Sequence, residues 1–290
     1  LDFDLDGHLD VLTLGYVNWS PQLQIDVVGC NRDKPGGKPR VETPPPPPWP
    51  LPDGGEAEKA KGQIMSPACF PPGRGGLYRG LGGGRFSEVS DAAGLGRKGT
   101  NGLGLSILDL EGDSYPDIII ANDMIPTNVY RNRRDGTFEE QGLKSGMAFA
   151  RNGRVRAGMG IDAAYLFGDD RLCLGMGFFY MQESSLYCQR KGGGGAAAAA
   201  RFEDLAPSLG VGAETVHQVT FGVLFSDYDS DGWRDLLMAN GHVSRHWSWH
   251  PEVKIDYEVQ QAMSVYQNLG GGRLAEWILP TSDPLREPTI

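Results

Sequence analysis

The chain has little of what would mark a membrane, nucleic-acid-binding or metal–thiolate protein. It holds no run of about 18 apolar residues, so the sequence predicts no membrane-spanning helix. Its 27 Lys and Arg are outnumbered by 37 Asp and Glu, and the net charge of −10 argues against a nucleic-acid-binding face. Its four cysteines form no CxxC or CxxCH pattern, which removes support for zinc-ribbon, thioredoxin-like and c-type haem sites.

Glycine and proline are abundant instead. The chain carries 42 Gly and 20 Pro in 290 residues, a composition that favours many turns and little long helix. With 40% hydrophobic residues it is long enough to build one large domain or two ordinary ones. We therefore expect an all-β protein.

The segment "FSDYDSDGWRDLLMA" (225–239) carries the clearest chemical signal. Its acidic residues are Asp227, Asp229, Asp231 and Asp235. Acids at positions 1, 3 and 5 followed by Gly232 at position 6 match the first half of a calcium loop. An EF-hand would have Glu at position 12, where Met238 stands, and the next acid lies at position 9. The apolar residues that follow are typical of a strand, so the segment predicts a calcium loop between two β-strands.

The same pattern occurs three times, and we number the loops by the repeat that each belongs to. The acids of loop 1 (residues 2–10) are Asp2, Asp4, Asp6 and Asp10; those of loop 2 (109–117) are Asp109, Glu111, Asp113 and Asp117; loop 4 is residues 227–235. Loop 2 has Ser114 where glycine would relax the backbone. A solvated acidic hairpin turn is the alternative for any one copy, but three copies favour calcium.

A repeat unit of roughly 60 residues surrounds these loops. Glycine-rich lead strands ("NGLGLSILD", "AGMGIDAAY", "VTFGVLFSD") precede the loops, and hairpins such as "VYRNRRDGTFEE" follow them. A degraded copy, loop 3 (165–173), has Tyr165, Phe167, Asp169 and Cys173 at positions 1, 3, 5 and 9, and we expect it not to bind metal. Units of four short strands predict a β-propeller with four-stranded antiparallel blades across residues 1–290. A β-sandwich with acidic loops is the alternative.

Two segments interrupt the repeats. Residues 16–76 form a Pro- and Gly-rich insertion whose polyproline stretch (43–55) is either a docking arm or a stiff surface loop. Cys30 and Cys69 lie within it, and a disulfide between them would close a loop of roughly 40 residues, worth about 4 kcal/mol, and would indicate an oxidising compartment. Cys173 and Cys188 fit equally a second bridge or two small buried residues. Residues 192–200 ("GGGGAAAAA") are a low-complexity or uncertain loop.

The motifs "DFDLDGHLDV", "DLEGDSYPDIIIAND" and "DYDSDGWRDLLMANGH" resemble the FG-GAP/VCBS repeat of integrin-α-like propellers. Within that group, "CFPPGRGGLYR" and "RAGMGIDAA" are similar to bacterial cartilage acidic protein relatives of the ASPIC/UnbV type. The resemblance implies a ring of about seven blades, of which the chain shows about four. It also implies about three structural Ca²⁺ sites. Their ligands would be the side chains at positions 1, 3, 5 and 9 and the position-7 backbone carbonyls of His8, Tyr115 and Trp233.

The sequence favours a secreted, cell-surface or periplasmic scaffold that binds other protein subunits or surface glycans. Trp49 in the insertion and Trp247 and Trp249 in "NGHVSRHWSWHPE" are the expected partner contacts. His246 and His250 of that stretch stand at i and i+4, a spacing that could share a metal. An extracellular propeller enzyme or a redox-associated subunit acting on polymers or glycans therefore stays open as the alternative.

Overall fold

The computed structural model describes residues 1–18, 70–96, 99–190, 201–243, 260–278 and 282–283. In this part of the chain regular structure is almost all β, which confirms the predicted class. Helix is limited there to a short α1 (Gly142–Ser145) and two 3₁₀ turns, Ala206–Ser208 and Ala213–Thr215. No helix among the described residues is long and apolar enough to cross a membrane.

The strands form four antiparallel sheets, each with its strands in sequence order. Sheet 1 contains β1 (Val11–Thr13), β2 (Gly76–Gly80) and β3 (Phe86–Glu88). Sheet 2 contains β4 (Gly102–Leu108), β5 (Asp117–Asn122), β6 (Asn128–Asn132) and β7 (Phe138–Glu140). Sheet 3 contains β8 (Gly158–Tyr165), β9 (Leu172–Phe178), β10 (Ser185–Gln189) and β11 (Phe202–Asp204). Sheet 4 contains β12 (Thr220–Ser226), β13 (Asp235–Asn240), β14 (Ser264–Asn268) and β15 (Leu274–Glu276).

The predicted repeat corresponds to these sheets. The glycine-rich lead strands are β4, β8 and β12, and each has a register irregularity near its start. The predicted hairpins are β2–β3, β6–β7, β10–β11 and β14–β15. The described strands of sheet 1 correspond to the last three strands of the other sheets, because loop 1 leads into β1 as loop 2 leads into β5.

Sheets 2, 3 and 4 approach one another most closely along their lead strands, where β8 lies between β4 and β12. Glycine allows this approach. A Cβ on Gly104 would lie 2.1 Å from the carbonyl oxygen of Met159, and one on Gly160 would lie 2.6 Å from that of Phe221. Both distances are far inside van der Waals contact, so no larger residue fits between these backbones.

An apolar core fills each space between consecutive sheets. Ile118, Ile120 and Tyr130 of sheet 2 pack with Leu77 of sheet 1. The opposite face of sheet 2 packs on sheet 3, and sheet 3 packs in the same way on sheet 4. Strands β5 and β9 are buried throughout because both of their faces meet such a core.

Several sequence predictions fall on residues outside the described ranges. They are the Cys30–Cys69 bridge, the contacts of Trp49, Trp247 and Trp249, residues 19–69 of the predicted insertion, and the whole 192–200 segment.

Candidate functional site: three acidic loops

The three acidic loops occupy the same place in their sheets, immediately before β1, β5 and β13. They also share a backbone conformation. Positions 4 and 6 have positive φ in every loop: 57° and 86° at Leu5 and Gly7, 70° and 71° at Gly112 and Ser114, and 62° and 92° at Ser230 and Gly232. Ser114 therefore adopts the left-handed conformation that the sequence led us to expect only of glycine.

Carboxylates at positions 1 and 5 cap this turn. The Asp227 carboxylate accepts hydrogen bonds from the backbone N–H groups of Asp231 and Gly232, both at 3.0 Å. Asp109 accepts the equivalent two bonds, from Asp113 and Ser114, and Asp2 accepts the one from Gly7. The position-5 carboxylates of Asp6, Asp113 and Asp231 accept the N–H of the predicted position-7 residue, His8, Tyr115 or Trp233, at 2.8–2.9 Å. These hydrogen bonds fix the orientation of the position-1 and position-5 carboxylates in each loop.

Two of the loops bring three carboxylate oxygens within 4.8 Å of one another. In loop 1 the three residues are Asp2, Asp4 and Asp10, and in loop 4 they are Asp227, Asp229 and Asp231. Among the described residues, loop 2 does not form such a group. Oxygens this close repel one another unless a positive charge lies between them.

Three carboxylate oxygens of loops 1 and 2 are buried and have no hydrogen-bond partner among the described residues. They are Oδ1 of Asp2, Oδ1 of Asp4 and Oε1 of Glu111. The Glu111 side chain is only 2% exposed. A buried, unpaired carboxylate oxygen is costly, so these atoms need a donor or a cation. A hard cation such as Ca²⁺, which takes oxygen ligands, fits this donor set.

Burial also changes acid strength in loops 1 and 2. Desolvation raises the pKa of Asp117 to about 6, although the backbone N–H groups of Asn132 and Leu110 oppose this rise. Desolvation likewise raises the pKa of Asp4, with Arg79 opposing it. The exposed Asp6 has a lowered pKa because it accepts the His8 N–H. A raised pKa means that folding disfavours the ionised form of the carboxyl group. A bound cation would favour the ionised form and so offset that cost.

The position-9 aspartate has a second role that the sequence did not reveal. One oxygen of Asp235 accepts the Tyr228 N–H at 2.9 Å and the other accepts the Asn268 N–H, on the third strand, at 2.8 Å. Asp10 and Asp117 make the corresponding pair of bonds. This aspartate therefore ties the loop to the third strand of its own sheet, which in sheet 1 is β2, and we call this pair of hydrogen bonds the brace. Each oxygen keeps a lone pair for a cation.

An amide side chain at the end of the third strand links each sheet to the preceding loop. The Asn132 side chain donates to the backbone carbonyl of Phe3 at 2.8 Å. In the same way Gln189 donates to the carbonyl of Leu110 at 3.0 Å, and Asn268 donates to the carbonyl of Leu166 at 2.9 Å. Each acceptor is position 2 of the loop in the preceding sheet. Sheet 1 has Gly80 at this place and no side chain to offer. The recurring Asn in "VYRN" and "VYQN" was the available sequence signal.

Loop 3 is held together without an acidic centre. Asp169 pairs with Arg171 of its own loop at 2.9 Å, and the Arg171 guanidinium lies 3.8 Å from the centre of the Phe167 ring. Cys173 and Cys188 form a disulfide, which decides between the two predicted alternatives. They are directly opposed on β9 and β10. Cys173 stands at position 9, so a covalent bond occupies the place where aspartate braces the other loops.

Removing this disulfide should destabilise the chain. The Cys173→Ser/Cys188→Ser variant should lose about 3 kcal/mol of unfolding free energy, the chain-entropy value for a loop of about 15 residues. Adding Cys173→Asp in the Cys188→Ser background should restore about 1 kcal/mol, since a carboxylate there can accept backbone N–H groups. Urea unfolding measures both variants. If the aspartate variant is no more stable than the double serine, the disulfide does not stand in for the brace.

At the opposite end of the sheets, aromatic and polar groups gather after the second strands. The rings of His217 and His242 both lie 5.8 Å from that of Tyr180. Tyr16 donates to a carboxylate oxygen of Asp123 at 2.7 Å, and burial raises the pKa of Asp123. His246 and His250, the predicted i, i+4 pair, lie outside the described residues.

The chain matches no protein-family model, and a search of curated proteins finds no match either. The resemblance to FG-GAP/VCBS repeats therefore depends on the loop motifs alone.

Proposed function

We propose that this chain is part of a calcium-stabilised β-propeller scaffold of the FG-GAP/VCBS type. The observation that carries the proposal is the threefold recurrence of one loop, with the same left-handed positions, the same braces and the same place in its sheet. Two observations support a propeller. Each sheet has its strands in sequence order, and the lead strands β4, β8 and β12 of consecutive sheets lie side by side. The amide links between consecutive sheets repeat at the same position and are consistent with that arrangement.

In this proposal calcium is structural. Positions 1, 3, 5 and 9 of loops 1, 2 and 4 would supply carboxylate oxygens, and the carbonyls of His8, Tyr115 and Trp233 would complete each set. A bound cation would offset the repulsion within each loop and hold the start of the following strand. Cation binding would therefore stabilise the folded chain.

Calorimetric titration of metal-stripped protein tests this proposal. We expect saturable uptake of about three Ca²⁺ ions, with Mg²⁺ bound far more weakly because it demands octahedral geometry. The Asp227→Asn/Asp231→Asn variant should bind about one ion fewer, because it removes two carboxylates from one loop. Protein that takes up no calcium would refute the proposal.

An exposed apolar face on sheet 1 favours a role in a larger assembly. Tyr78 is 36% exposed, whereas its counterparts Tyr130, Tyr187 and Tyr266 are at most 5% exposed, each packed in the core between its sheet and the preceding one. Val11 and Phe86 on the same sheet are 43% and 49% exposed. We propose that a further sheet of this repeat covers this face. If so, Phe86→Asp should weaken association in sedimentation experiments, and an unchanged association state would count against the idea.

The Cys173–Cys188 disulfide favours an extracellular or periplasmic location, since such bonds persist in oxidising compartments. Alkylation of the protein at the moment of cell lysis should leave both cysteines unlabelled. Full labelling of both would place the protein in a reducing compartment.

A further inference from the structure

The position-3 acid of each acidic loop contacts one residue of the third strand, and that residue differs between loops. In loop 1 it is Arg79, whose Nε lies 2.8 Å from Asp4 and whose Nη2 lies 2.9 Å from Asp6. In loop 2 it is Arg131, which pairs with Glu111. In loop 4 it is Gln267, whose Nε2 donates to Asp229 at 2.5 Å.

The three positions are equivalent in the sheets. Arg79, Arg131 and Gln267 each directly precede the residue whose backbone N–H binds the position-9 aspartate. The side chain at this position therefore reaches the same point of each loop. It presents a full positive charge in loops 1 and 2 and a neutral amide in loop 4.

The grouping of carboxylates follows this charge. Loop 2 has a second arginine, Arg134, which pairs with Asp113 at 2.7 Å. Among the described residues, loop 2 is also the acidic loop in which no three carboxylates lie close together. In loop 1 the gathered set omits Asp6, which Arg79 holds. In loop 4, where no ion pair to the acids is found among the described residues, positions 1, 3 and 5 gather together.

The arginines leave part of the site unsatisfied. Arg131 pairs with one oxygen of Glu111, while the other oxygen is buried and has no partner in the described part of the chain; the side chain is 2% exposed. Asp4 is in the same condition beside Arg79. Loops 1 and 2 therefore still have oxygens available for a cation, but the arginines already neutralise part of their negative charge.

We propose that the residue at this third-strand position sets how strongly each acidic loop binds its cation. Arg79 and Arg131 act as built-in counter-ions that weaken binding, and Gln267 leaves loop 4 as the strongest site. This inference rests on the proposed calcium function. The physical reason is that a fixed positive charge a few ångströms from a divalent ion repels it in a partly buried site.

Loop 4 carries its own reporter. Trp233 stands at position 7, so a terbium ion, which replaces calcium in oxygen sites, should be sensitised by the Trp233 indole. The ring lies against Gly270 and Gly168, which holds it beside the loop. A Trp233→Phe variant should lose most of the sensitised emission and thereby assign the signal to loop 4.

The test compares Gln267→Arg with Gln267→Met in the full chain. We expect the arginine variant to bind terbium at least about tenfold more weakly, and calcium to displace terbium from it at correspondingly higher concentration. Gln267→Met removes the hydrogen bond without adding charge and should stay within about threefold of the unsubstituted chain. Arginine should be accommodated because loops 1 and 2 already hold it at this position.

The possible outcomes distinguish a failure of the proposed calcium function from a failure of the counter-ion inference. If calcium displaces no sensitised terbium even from the unsubstituted chain, loop 4 is not a calcium site and the proposed function fails there. If the unsubstituted chain binds and Gln267→Arg binds equally well, the site stands and the counter-ion inference is wrong. Equal weakening by arginine and methionine would assign the effect to the lost hydrogen bond and would also overturn the inference.

Discussion

Replacing Asp235 by alanine is expected to destabilise the chain by about 2–6 kcal/mol. The side chain is fully buried, and its two oxygens accept the N–H groups of Tyr228 and Asn268. The truncation leaves two buried donors without partners, each at a cost of about 1–3 kcal/mol. Urea unfolding of the variant and the unsubstituted chain measures the difference.

The matched control is Asp169→Ala in loop 3. Asp169 is 39% exposed and pairs with Arg171 of the same loop, so its removal should cost no more than about 1 kcal/mol. Unfolding should be measured both in calcium and in excess chelator. The brace acts without metal, so the Asp235→Ala loss should persist in chelator. A loss seen only in calcium would show that Asp235 serves as a ligand and not as a brace.

The repeat could be predicted because its signals are local. "DYDSDGWRD" specifies a turn through acids that cap backbone N–H groups and residues that tolerate positive φ, and the apolar run after it specifies a strand. The four hairpins follow from aromatic strands on either side of glycine-rich turns. These features need no knowledge of distant residues.

What the sequence left open depends on contacts between segments far apart in the chain. Asn132 and Phe3, which are hydrogen-bonded, are 129 positions apart in the sequence, and Arg79 and Asp6 are 73 positions apart. The state of Cys173 and Cys188 depended on the register of β9 and β10, which places them opposite one another. Ser114 shows that a loop closed by Asp109 can hold a non-glycine residue in the left-handed region.

Removal of calcium should have the second large effect. A ligand that binds only the folded state contributes about 4 kcal/mol when present at about 1,000 times its dissociation constant. For a chain of this size, each kcal/mol shifts the melting temperature by about 2–4 °C. Even one strong site should therefore change the melting temperature by about 8 °C or more. The effect should be reduced in Gln267→Arg, because that variant is expected to weaken the strongest site.

Thermal melting of the purified chain in calcium and in excess chelator tests the calcium-stabilised account most directly. If calcium stabilises the fold, the melting temperature should be lower by about 8 °C or more in chelator, with recovery when calcium is added back and little recovery with magnesium. Identical melting curves in calcium and in chelator would contradict it.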